Sequence, residues 1–576
     1  MTENEGNSIC VGELINLFID YIDVSNSIYK LRATTEQEIK EVYNKKILIE
    51  PKIMYPWKVL YIISEAIMYN NYYIMSYIAL IKLIYDEYHP QLNNVDYLIY
   101  DIFNQINDIN LNKNREIITK NRPPRSPILK AIMLDDLPAF IVETNHLNFY
   151  NLMYIRTYNQ DYYPDFEQFF TFIDFACYYG SVRIFKYMVG EYELSVTKRS
   201  LRLALLGGNA EIIHECLKYY IPDKRCMKYA IISHNVDIIS FLVNEFNLDI
   251  HLVDCVYYFN IQAFFIYLDI TNNINLCIPT AASFNIKPLV EYFISKGADI
   301  NSDFPNGKTA LHYAAINNNL DIAELLLSHG ANINATNSYG ESALTYAVMY
   351  NCIDMVKYLV QLGVNIEEKD NKGYNALHHA ARNKYFEIVE FLISSGANIN
   401  TRDETGQTAL HHVASKNDIE MLEFLIVKGI DINSIDNSGR TSIFCAAEIG
   451  NKEIVYNLIL HEAFINIQDN EGRTALHISV DKNRQEIAEF LITHGADVNL
   501  QDNNGQTPLH YAVKYNRIKI GEFLISYGSN INTEDKSGKK AFDIAFKKKN
   551  SKMAKLLAGH EEADKIDKLK SIFMIF

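Results

Sequence analysis

Residues 370–400 read DNKGYNALHHAARNKYFEIVEFLISSGANIN, and this stretch decides the fold. Asp370 and Gly373 bound a turn, in which glycine supplies a positive φ and aspartate caps its own backbone. Residues 376–383 predict a short helix whose paired alanines allow a neighbouring helix to approach closely. A second helix is predicted over residues 387–395, because its apolar residues fall at helical spacing, and Gly396 is placed to end it in a left-handed conformation.

The same pattern returns every 33 residues. One glycine series keeps this period without a gap: Gly307, Gly340, Gly373, Gly406, Gly439, Gly472, Gly505 and Gly538. A second series runs in phase with it: Gly297, Gly330, Gly363, Gly396, Gly429, Gly495 and Gly528. A fixed period of this length indicates a repeat architecture, in which each unit buries its apolar face against its neighbours.

The start of the first helix carries a recognisable phrase. Thr-Ala-Leu-His occurs at residues 309–312, 408–411 and 474–477, Thr-Pro-Leu-His at 507–510, and Ala-Leu-His at 376–378. At this repeat length the phrase resembles the T-P-L-H-x-A signature of the ankyrin repeat. The resemblance implies an all-α fold, an ankyrin-repeat solenoid, with eight repeats over residues 304–558 that include a polar C-terminal cap.

Five histidines recur at one place in the pattern, namely His312, His378, His411, His477 and His510. Packed helices lie about 10 Å apart, which is too far for histidines of successive repeats to share a metal ion with bonds of about 2 Å. The resemblance implies instead that this histidine bonds to the backbone and joins neighbouring repeats. The eight cysteines form no Cys-x-x-Cys pair, and we expect neither a metal nor a cofactor.

The repeat at residues 436–468 departs from the pattern. It has Ile443-Phe444 where other repeats have Leu-His, and Glu462 where they have the glycine that ends the second helix. A non-glycine residue held at positive φ costs about 1 kcal/mol. The sequence therefore predicts either a rebuilt turn or a weaker junction that opens first.

Before residue 300 the sequence is rich in Tyr, Ile and Asn, with few glycines. Helical apolar spacing over residues 11–22 and 57–85 predicts an N-terminal helical region of residues 1–125. Degenerate repeat openings then start at residues 126, 175, 203 and 229, the later ones about 26 residues apart. We interpret residues 126–303 as divergent ankyrin-like helical hairpins that run into the regular array, and residues 559–576 as a charged C-terminal tail.

Several phrases before the array point to one kind of domain. They are residues 178–180 (Tyr-Tyr-Gly), 206–209 (Leu-Gly-Gly-Asn), 215–219, 222–224 and 227–235. They resemble a domain of unknown function that precedes ankyrin arrays in very large families of proteins in parasitic protists. The resemblance implies a helical module followed by ankyrin repeats, and no assigned chemistry.

The charge balance of the chain restricts which classes of molecule are expected as partners. The chain has 54 Lys and Arg against 70 Asp and Glu, a net charge of −16. Nucleic-acid binding needs a basic surface, so nucleic acid is not an expected partner. No stretch of about 20 residues is continuously apolar, and the N-terminus is polar, so neither a membrane span nor a signal peptide is predicted. We expect a monomer in the cytoplasm, with the nucleus left open.

The leading hypothesis for function is a scaffold or adaptor that binds protein partners through the concave face of the array. A rigid face binds with little ordering cost. Aromatic and arginine side chains are the usual anchors of interfaces. The predicted partner-binding residues are therefore Tyr313, Tyr346, Tyr374, Arg440, Arg473 and Tyr511.

Two other functions stay open. One is a structural or membrane-skeletal linker, with separate partners for the N-terminal helical region and the array. A more remote one is an enzyme with an unrecognised helical catalytic domain in the N-terminal region. We expect no enzymatic activity, because the chain shows no phosphate-binding loop, nucleophile elbow, kinase signature or zinc-protease motif.

Overall fold

The computed structural model describes residues 11–30, 39, 43, 56–69, 74–88, 127–145, 155–156 and 169–560. The predicted tail, from residue 561 on, lies outside these described residues, as does much of the predicted N-terminal region. The chain divides into two compact units. Unit 1 is Met1–Pro305 with Thr309–Asn317 and Asp321–Ala331, and unit 2 is Asn306–Lys308 and Asn318–Leu320 with Asn332–Phe576. The domain boundaries drawn from the sequence stay predictions.

Among the described residues of unit 1, four helices precede its hairpins. They are α1 (Val11–Leu17), α2 (Ile19–Tyr29), α3 (Pro56–Tyr69) and α4 (Ile74–Tyr88). The hairpins follow as pairs: α5 (Pro127–Met133) and α6 (Leu137–Thr144), α7 (Phe172–Tyr179) and α8 (Val182–Glu191), α9 (Lys198–Gly207) and α10 (Ala210–Leu217), α11 (Lys224–Ile232) and α12 (Val236–Phe246), α13 (Leu252–Tyr257) and α14 (Ile261–Thr271), α15 (Cys277–Phe284) and α16 (Lys287–Ser295), α17 (Ala310–Ile316) and α18 (Leu320–Ser328).

One short antiparallel pairing interrupts this helical order. Strands β1 (Ile155–Arg156) and β2 (Phe169–Phe170) pair Ile155 with Phe170. The strands are two residues long each, and the predicted all-α class is confirmed by the helices around them.

The N-terminal helices of unit 1 pack on its hairpins. Helices α1 and α2 lie against α14, α3 lies against α2, and α4 against α3. The ring of Tyr29 stacks on the buried imidazole of His234 with centroids 4.2 Å apart. His234 Nδ1 lies 2.9 Å from the side-chain oxygen of Asn26, and its Nε2 lies 2.9 Å from the carbonyl oxygen of Tyr258. Burial lowers the pKa of His234 to about 3, so the contact forms around a neutral ring.

The described part of unit 2, up to residue 560, consists of seven helix pairs. They are α19 (Ala343–Met349) and α20 (Ile353–Gln361), α21 (Ala376–Arg382) and α22 (Phe386–Ser394), α23 (Ala409–Lys416) and α24 (Ile419–Val427), α25 (Ser442–Ile449) and α26 (Lys452–Leu460), α27 (Ala475–Asp481) and α28 (Gln485–Thr493), α29 (Pro508–Lys514) and α30 (Ile518–Ser526), α31 (Ala541–Lys547) and α32 (Ser551–Ala558). Consecutive first helices lie side by side, from α19 to α31, and the small buried alanines at their contacts allow this approach.

A left-handed residue recurs in the turn between the two helices of each pair. In unit 2 it is Asn351, Lys384, Asn417, Gly450, Asn483, Asn516 or Lys549, with φ between 55° and 105°. In unit 1 the same turn holds Asp135, Gly180, Gly208, His234, Phe259 and Asn285, with φ between 49° and 76°. The hairpins of unit 1 therefore turn in the same way as the regular repeats, although most of them follow one another at shorter intervals along the chain.

The turn before each first helix of unit 2, for example residues 370–374, is called its finger here. Successive fingers form a backbone ladder, in which the amide of Asn371 donates to Tyr339 O (2.8 Å) and that of Glu404 donates to Lys372 O (3.2 Å). The finger glycine lies against this ladder. A Cβ added at Gly373 would stand 2.3 Å from the backbone nitrogen of Glu404.

The finger glycines are predicted to differ in their tolerance of alanine. Gly373 and Gly538 have similar φ values, 77° and 72°, but nothing lies within 4 Å of a Cβ at Gly538, in the last finger. Gly538→Ala should cost about 1 kcal/mol of unfolding free energy from φ alone. Gly373→Ala should cost about 3 kcal/mol, because the next finger must also move. Urea unfolding of both variants measures the difference, and equal losses would contradict the role of the ladder.

Candidate functional site

Each finger of unit 2 is built on one turn residue. It is Asn337, Asp370, Asp403, Asp436, Asp469, Asp502 or Asp535, in order along the chain. The Oδ1 atom of this residue accepts hydrogen bonds from the backbone amides two and four residues later, at 2.7–3.0 Å. These two bonds close the turn and fix the direction of the finger.

The second oxygen of the turn aspartate is also bonded. His379 Nε2 lies 3.0 Å from Asp370 Oδ2, and His412 Nε2 lies 2.9 Å from Asp403 Oδ2. In a later repeat, the hydroxyl of Tyr511 donates to Asp502 Oδ2 at 2.9 Å. All three donors occupy the same position, nine residues after the aspartate, on the first helix.

In the last repeat this position holds Ile544, and its turn residue Asp535 is only half-buried. Two repeats with a buried turn aspartate also lack a hydrogen-bonding group of this strength at that position, since they carry Cys445 and Ile478. In both, an arginine four residues after the aspartate takes over. Arg440 Nε donates to Asp436 Oδ2 at 3.0 Å, and Arg473 Nε donates to Asp469 Oδ2 at 2.9 Å. The choice of residue at one position therefore depends on the residue at the other.

These contacts favour the ionised form of Asp403 and Asp436. Burial acts to raise the pKa of Asp403, but hydrogen bonds from Thr405, the Gln407 amide and His412 bring the pKa below its usual value. Burial likewise opposes a low pKa at Asp436, and the bonds and charge of Arg440 lower it. A buried carboxylate without such donors would be strongly destabilising.

A second network joins each first helix to the next finger. His411 Nδ1 accepts the backbone amide of Thr408 at 3.1 Å, and its Nε2 donates to Arg440 O of the following finger at 3.1 Å. The same Nε2 bond runs from His378 to Gln407 O, from His477 to Gln506 O and from His510 to Lys539 O, at 3.1–3.3 Å. The recurring histidines thus connect repeats through the backbone.

Comparison with protein-family models agrees with this arrangement. The model for ankyrin repeats (three copies) matches residues 278–370, 334–403, 361–436, 410–502 and 490–568, which together cover just over half of the chain. The chain belongs to the ankyrin-repeat family. A second model, for a domain of unknown function (DUF3447), matches residues 192–267, directly before the ankyrin repeats. A search of the curated proteins found no match.

The predicted ankyrin architecture is confirmed, as is a domain of unknown function ahead of the repeats. The DUF3447 match spans α9 to α12 and reaches into α14, the helix that contacts α1 and α2. Neither matched model describes a catalytic domain. Among the described residues, no group of three His, Cys, Asp or Glu side chains is arranged to hold a metal ion, and no helix has the length and apolar character needed to cross a membrane.

The six predicted partner-binding residues fall into two groups. Four of them hold fingers: Arg440 and Arg473 as described, Tyr511 through Asp502, and Tyr346, whose hydroxyl lies 2.9 Å from Asn337 Nδ2 and also bonds Glu341. Tyr346 and Tyr511 are 5% and 8% exposed, so their rings are part of the ankyrin fold.

The other two, Tyr313 and Tyr374, are half-buried. Tyr313, in unit 1, packs edge-on against Phe304 at 5.5 Å. Tyr374 packs edge-on against His379 and His412 at 5.6 and 5.2 Å, with the guanidinium of Arg382 over its ring at 5.8 Å. The sequence analysis missed His379 and His412, which hold the fingers beside Tyr374.

The irregular ankyrin repeat at residues 436–468 keeps its turn. Glu462 has a φ of 65°, the left-handed conformation that glycine adopts at the end of the other second helices, so the turn is not rebuilt. At the other departure, Phe444 fills the site of the missing histidine and is 1% exposed. The hydroxyl of Thr441, which would bond that histidine, is buried and has no hydrogen-bond partner. That this junction opens first stays a prediction.

Thr408 and Thr441 are predicted to respond differently to loss of the side-chain hydroxyl. Thr408 Oγ1 lies 3.0 Å from His411 Nδ1, so Thr408→Val should lower the unfolding free energy by about 1 kcal/mol. Thr441→Val removes a hydroxyl that bonds nothing, and should leave stability the same or slightly raised. Chemical unfolding of the two single variants compares them directly. A loss for Thr441→Val as large as that for Thr408→Val would contradict the assignment.

The buried histidines make stability depend on pH. Burial lowers the pKa of His378 and His477 to about 4, whereas in the unfolded chain a histidine titrates near 6.5. Between pH 6.5 and 4, these histidines therefore bind protons in the unfolded chain but stay neutral in the folded one. The stability present above pH 6.5 is lost as the pH falls towards 4. Each such histidine should cost about 1 kcal/mol at pH 5.5. Unfolding midpoints at pH 7.5 and 5.5 measure the slope.

A matched variant isolates one of these groups. His477→Phe places in this repeat the residue that Phe444 provides in the preceding one. The variant should show a smaller loss of stability between pH 7.5 and 5.5 than the unaltered chain. An unchanged pH slope would mean that His477 is not among the groups responsible.

Proposed function

We propose that the chain is a scaffold or adaptor that binds protein partners through the finger face of its ankyrin array, meaning the fingers together with the exposed ends of the first helices. Ankyrin repeats typically bind proteins, and in such arrays this is the concave side. The supporting observation is a row of exposed side chains at the ends of the first helices. These are Tyr350, Asn383, Lys416, Ile449, Lys482 and Tyr515.

This row changes residue type from repeat to repeat while the backbone beneath it stays constant. Tyr350, Ile449 and Tyr515 are 40%, 51% and 36% exposed. A rigid surface with variable, exposed aromatic and charged side chains suits recognition of a folded partner with little ordering cost.

The six predicted residues keep a part in this proposal. Tyr374, Arg440 and Arg473 are half-exposed and contribute their accessible edges to the finger face of unit 2. Tyr313 is proposed as a contact residue within unit 1. Tyr346 and Tyr511 act indirectly, because their rings and hydroxyls hold the fingers in position. We place the protein in the cytoplasm as a monomer. We also assign it, on the phrases in residues 178–235, to the parasitic-protist families in which such a domain precedes ankyrin repeats.

Proximity labelling in the native cell tests the finger face. The test variant combines Tyr350→Asn, Ile449→Lys and Tyr515→Lys, each of which is a residue that another repeat carries at the same position, so the fold should be preserved. Proteins labelled by the unaltered chain should be reduced about ten-fold or more with this variant, since several contacts at the face are removed together.

The control is Leu362→Ser, at the end of a second helix, where Leu362 is 50% exposed and another repeat carries Ser395. This variant should retain the labelled proteins. If the finger-face variant labels the same proteins as strongly as the control does, the finger face is not the binding surface.

A further inference from the structure

The second helices of unit 2 present a regular acidic surface away from the fingers. One exposed row, at the second position of the helix, holds Asp354, Glu387, Glu420, Glu453 and Glu486. A row one turn later, exposed or half-exposed, holds Glu390, Glu423, Glu489 and Glu522. Because residues three apart lie on the same side of a helix, the two rows form one surface, which is called the outer face here.

The repeat at 436–468 breaks this surface with apolar residues. Tyr456 stands where the repeats on either side have Glu423 and Glu489, and it is 46% exposed. Leu460, one helical turn later, is 58% exposed and stands where other repeats have Ser394, Thr493 or Ser526.

Apolar exposure extends around these two residues. Val427, at the position of Leu460 in the preceding repeat, is 79% exposed. The ring of Tyr456 contacts Phe490 of the next second helix, with centroids 5.5 Å apart. Val427, Tyr456, Leu460 and Phe490 are called the outer patch here. Beyond the turn that ends α26, Phe464 is 63% exposed where other repeats carry Asn or Asp.

The ankyrin fold does not require these apolar residues. In the other repeats of unit 2, the position of Tyr456 is filled by glutamate or lysine, and that of Leu460 by serine, threonine, glutamine or glycine except at Val427, so a polar residue is accommodated at both. Exposed apolar side chains gain no burial energy from folding, and contiguous ones mark interaction sites. The departures therefore point to a contact with another molecule.

The charge around the outer patch restricts what that molecule is. Glu420, Glu423 and Glu453 are all exposed beside it. Glu486, also beside it, is 74% exposed although Lys452 lies 2.9 Å away. An anionic membrane or a nucleic acid would be repelled by this rim. A basic protein segment that also carries apolar side chains complements both the charge and the surface.

We propose that the outer patch is a second docking site, which binds a basic, amphipathic segment of a partner protein. The apolar side chains of that segment cover Tyr456 and Leu460, and its lysines or arginines lie against the glutamates of the neighbouring repeats. The site lies on the second helices, so it is independent of the finger face.

The test uses the purified full chain and a labelled synthetic peptide of about 18 residues, in which leucines follow one helical face and lysines the rest. Binding is measured by fluorescence anisotropy. The test variant is Tyr456→Glu with Leu460→Ser, which restores the residues that other repeats carry. It should bind about ten-fold more weakly than the unaltered chain, because the apolar anchors are removed.

This variant separates specific docking from charge attraction alone. Tyr456→Glu adds a negative charge, so a peptide held only by its lysines would bind the variant as tightly or more tightly. That outcome would overturn the proposal. Thermal melting of the variant at the same temperature as the unaltered chain confirms that any loss of binding is local.

The charge contribution is tested with Glu423→Lys and Glu453→Lys. Other repeats carry Lys357 and Lys519 at these two positions, so the substitutions fit the fold. The double variant should also bind the lysine–leucine peptide about ten-fold more weakly than the unaltered chain, and this difference should be larger at low salt. A glutamate–leucine peptide should not bind the unaltered chain measurably. Equal binding of both peptides would show a merely sticky surface and overturn the proposal.

Sedimentation of the chain without peptide decides whether the occupant is a second copy. The proposal expects the unaltered chain and the Tyr456→Glu, Leu460→Ser variant to sediment alike. A dimer that dissociates in the variant would replace the proposed occupant with another copy of this chain.

Discussion

Most fingers of this ankyrin array depend on a carboxylate buried at the base of the turn. One oxygen closes the turn by accepting two backbone amides, and the other needs a donor from the first helix or from the turn itself. Leaving such a charge buried without its partner costs about 3–5 kcal/mol, several times the net value of an ordinary hydrogen bond. The finger ladder, the glycine that fits beneath it and the histidine bonds to the next finger all require the turn to be closed first.

This requirement links two positions that the repeat pattern alone treats as variable. Where the first helix provides His379, His412 or Tyr511, the finger position is free to hold Tyr374, Gln407 or Gln506. Where the helix provides Cys445 or Ile478, the finger position is arginine. The two arrangements satisfy the same oxygen, and neither residue is chosen independently of the other.

How well each feature could be predicted depends on how far apart in sequence the residues that determine it lie. The 33-residue glycine series predicted the helix pairs and fingers, because glycine is demanded locally by positive φ and by the next finger. The left-handed turn inside each pair escaped notice because Asn417, Lys384 and Gly450 all occupy it, and residue type alone does not reveal the shared conformation. The packing of Tyr29 on His234 joins residues far apart in sequence, which no period records.

The candidate binding residues were harder to predict, for a physical reason. Residue type favoured Tyr346, Tyr511, Arg440 and Arg473 as interface anchors, but the same properties make them good hydrogen-bond partners for a buried turn residue. The coupled change at positions five residues apart in the repeat (Arg440 with Cys445, Arg473 with Ile478) was a visible signal of the structural role. Its meaning could not be read from the sequence alone, because only the structure shows that a side chain at either position can reach the same turn carboxylate.

An internal comparison of repeats therefore separates structural departures from functional ones. In the repeat at 436–468, the loss of a donor at Cys445 is compensated by Arg440, and the loss of the histidine at Phe444 leaves Thr441 without its partner. These buried changes have consequences within the fold. The exposed changes at Tyr456 and Leu460 have no compensating change inside the repeat and improve no internal contact that the other repeats lack, apart from the ring of Phe490. An exposed change of residue that the fold neither requires nor compensates is best explained by contact with another molecule.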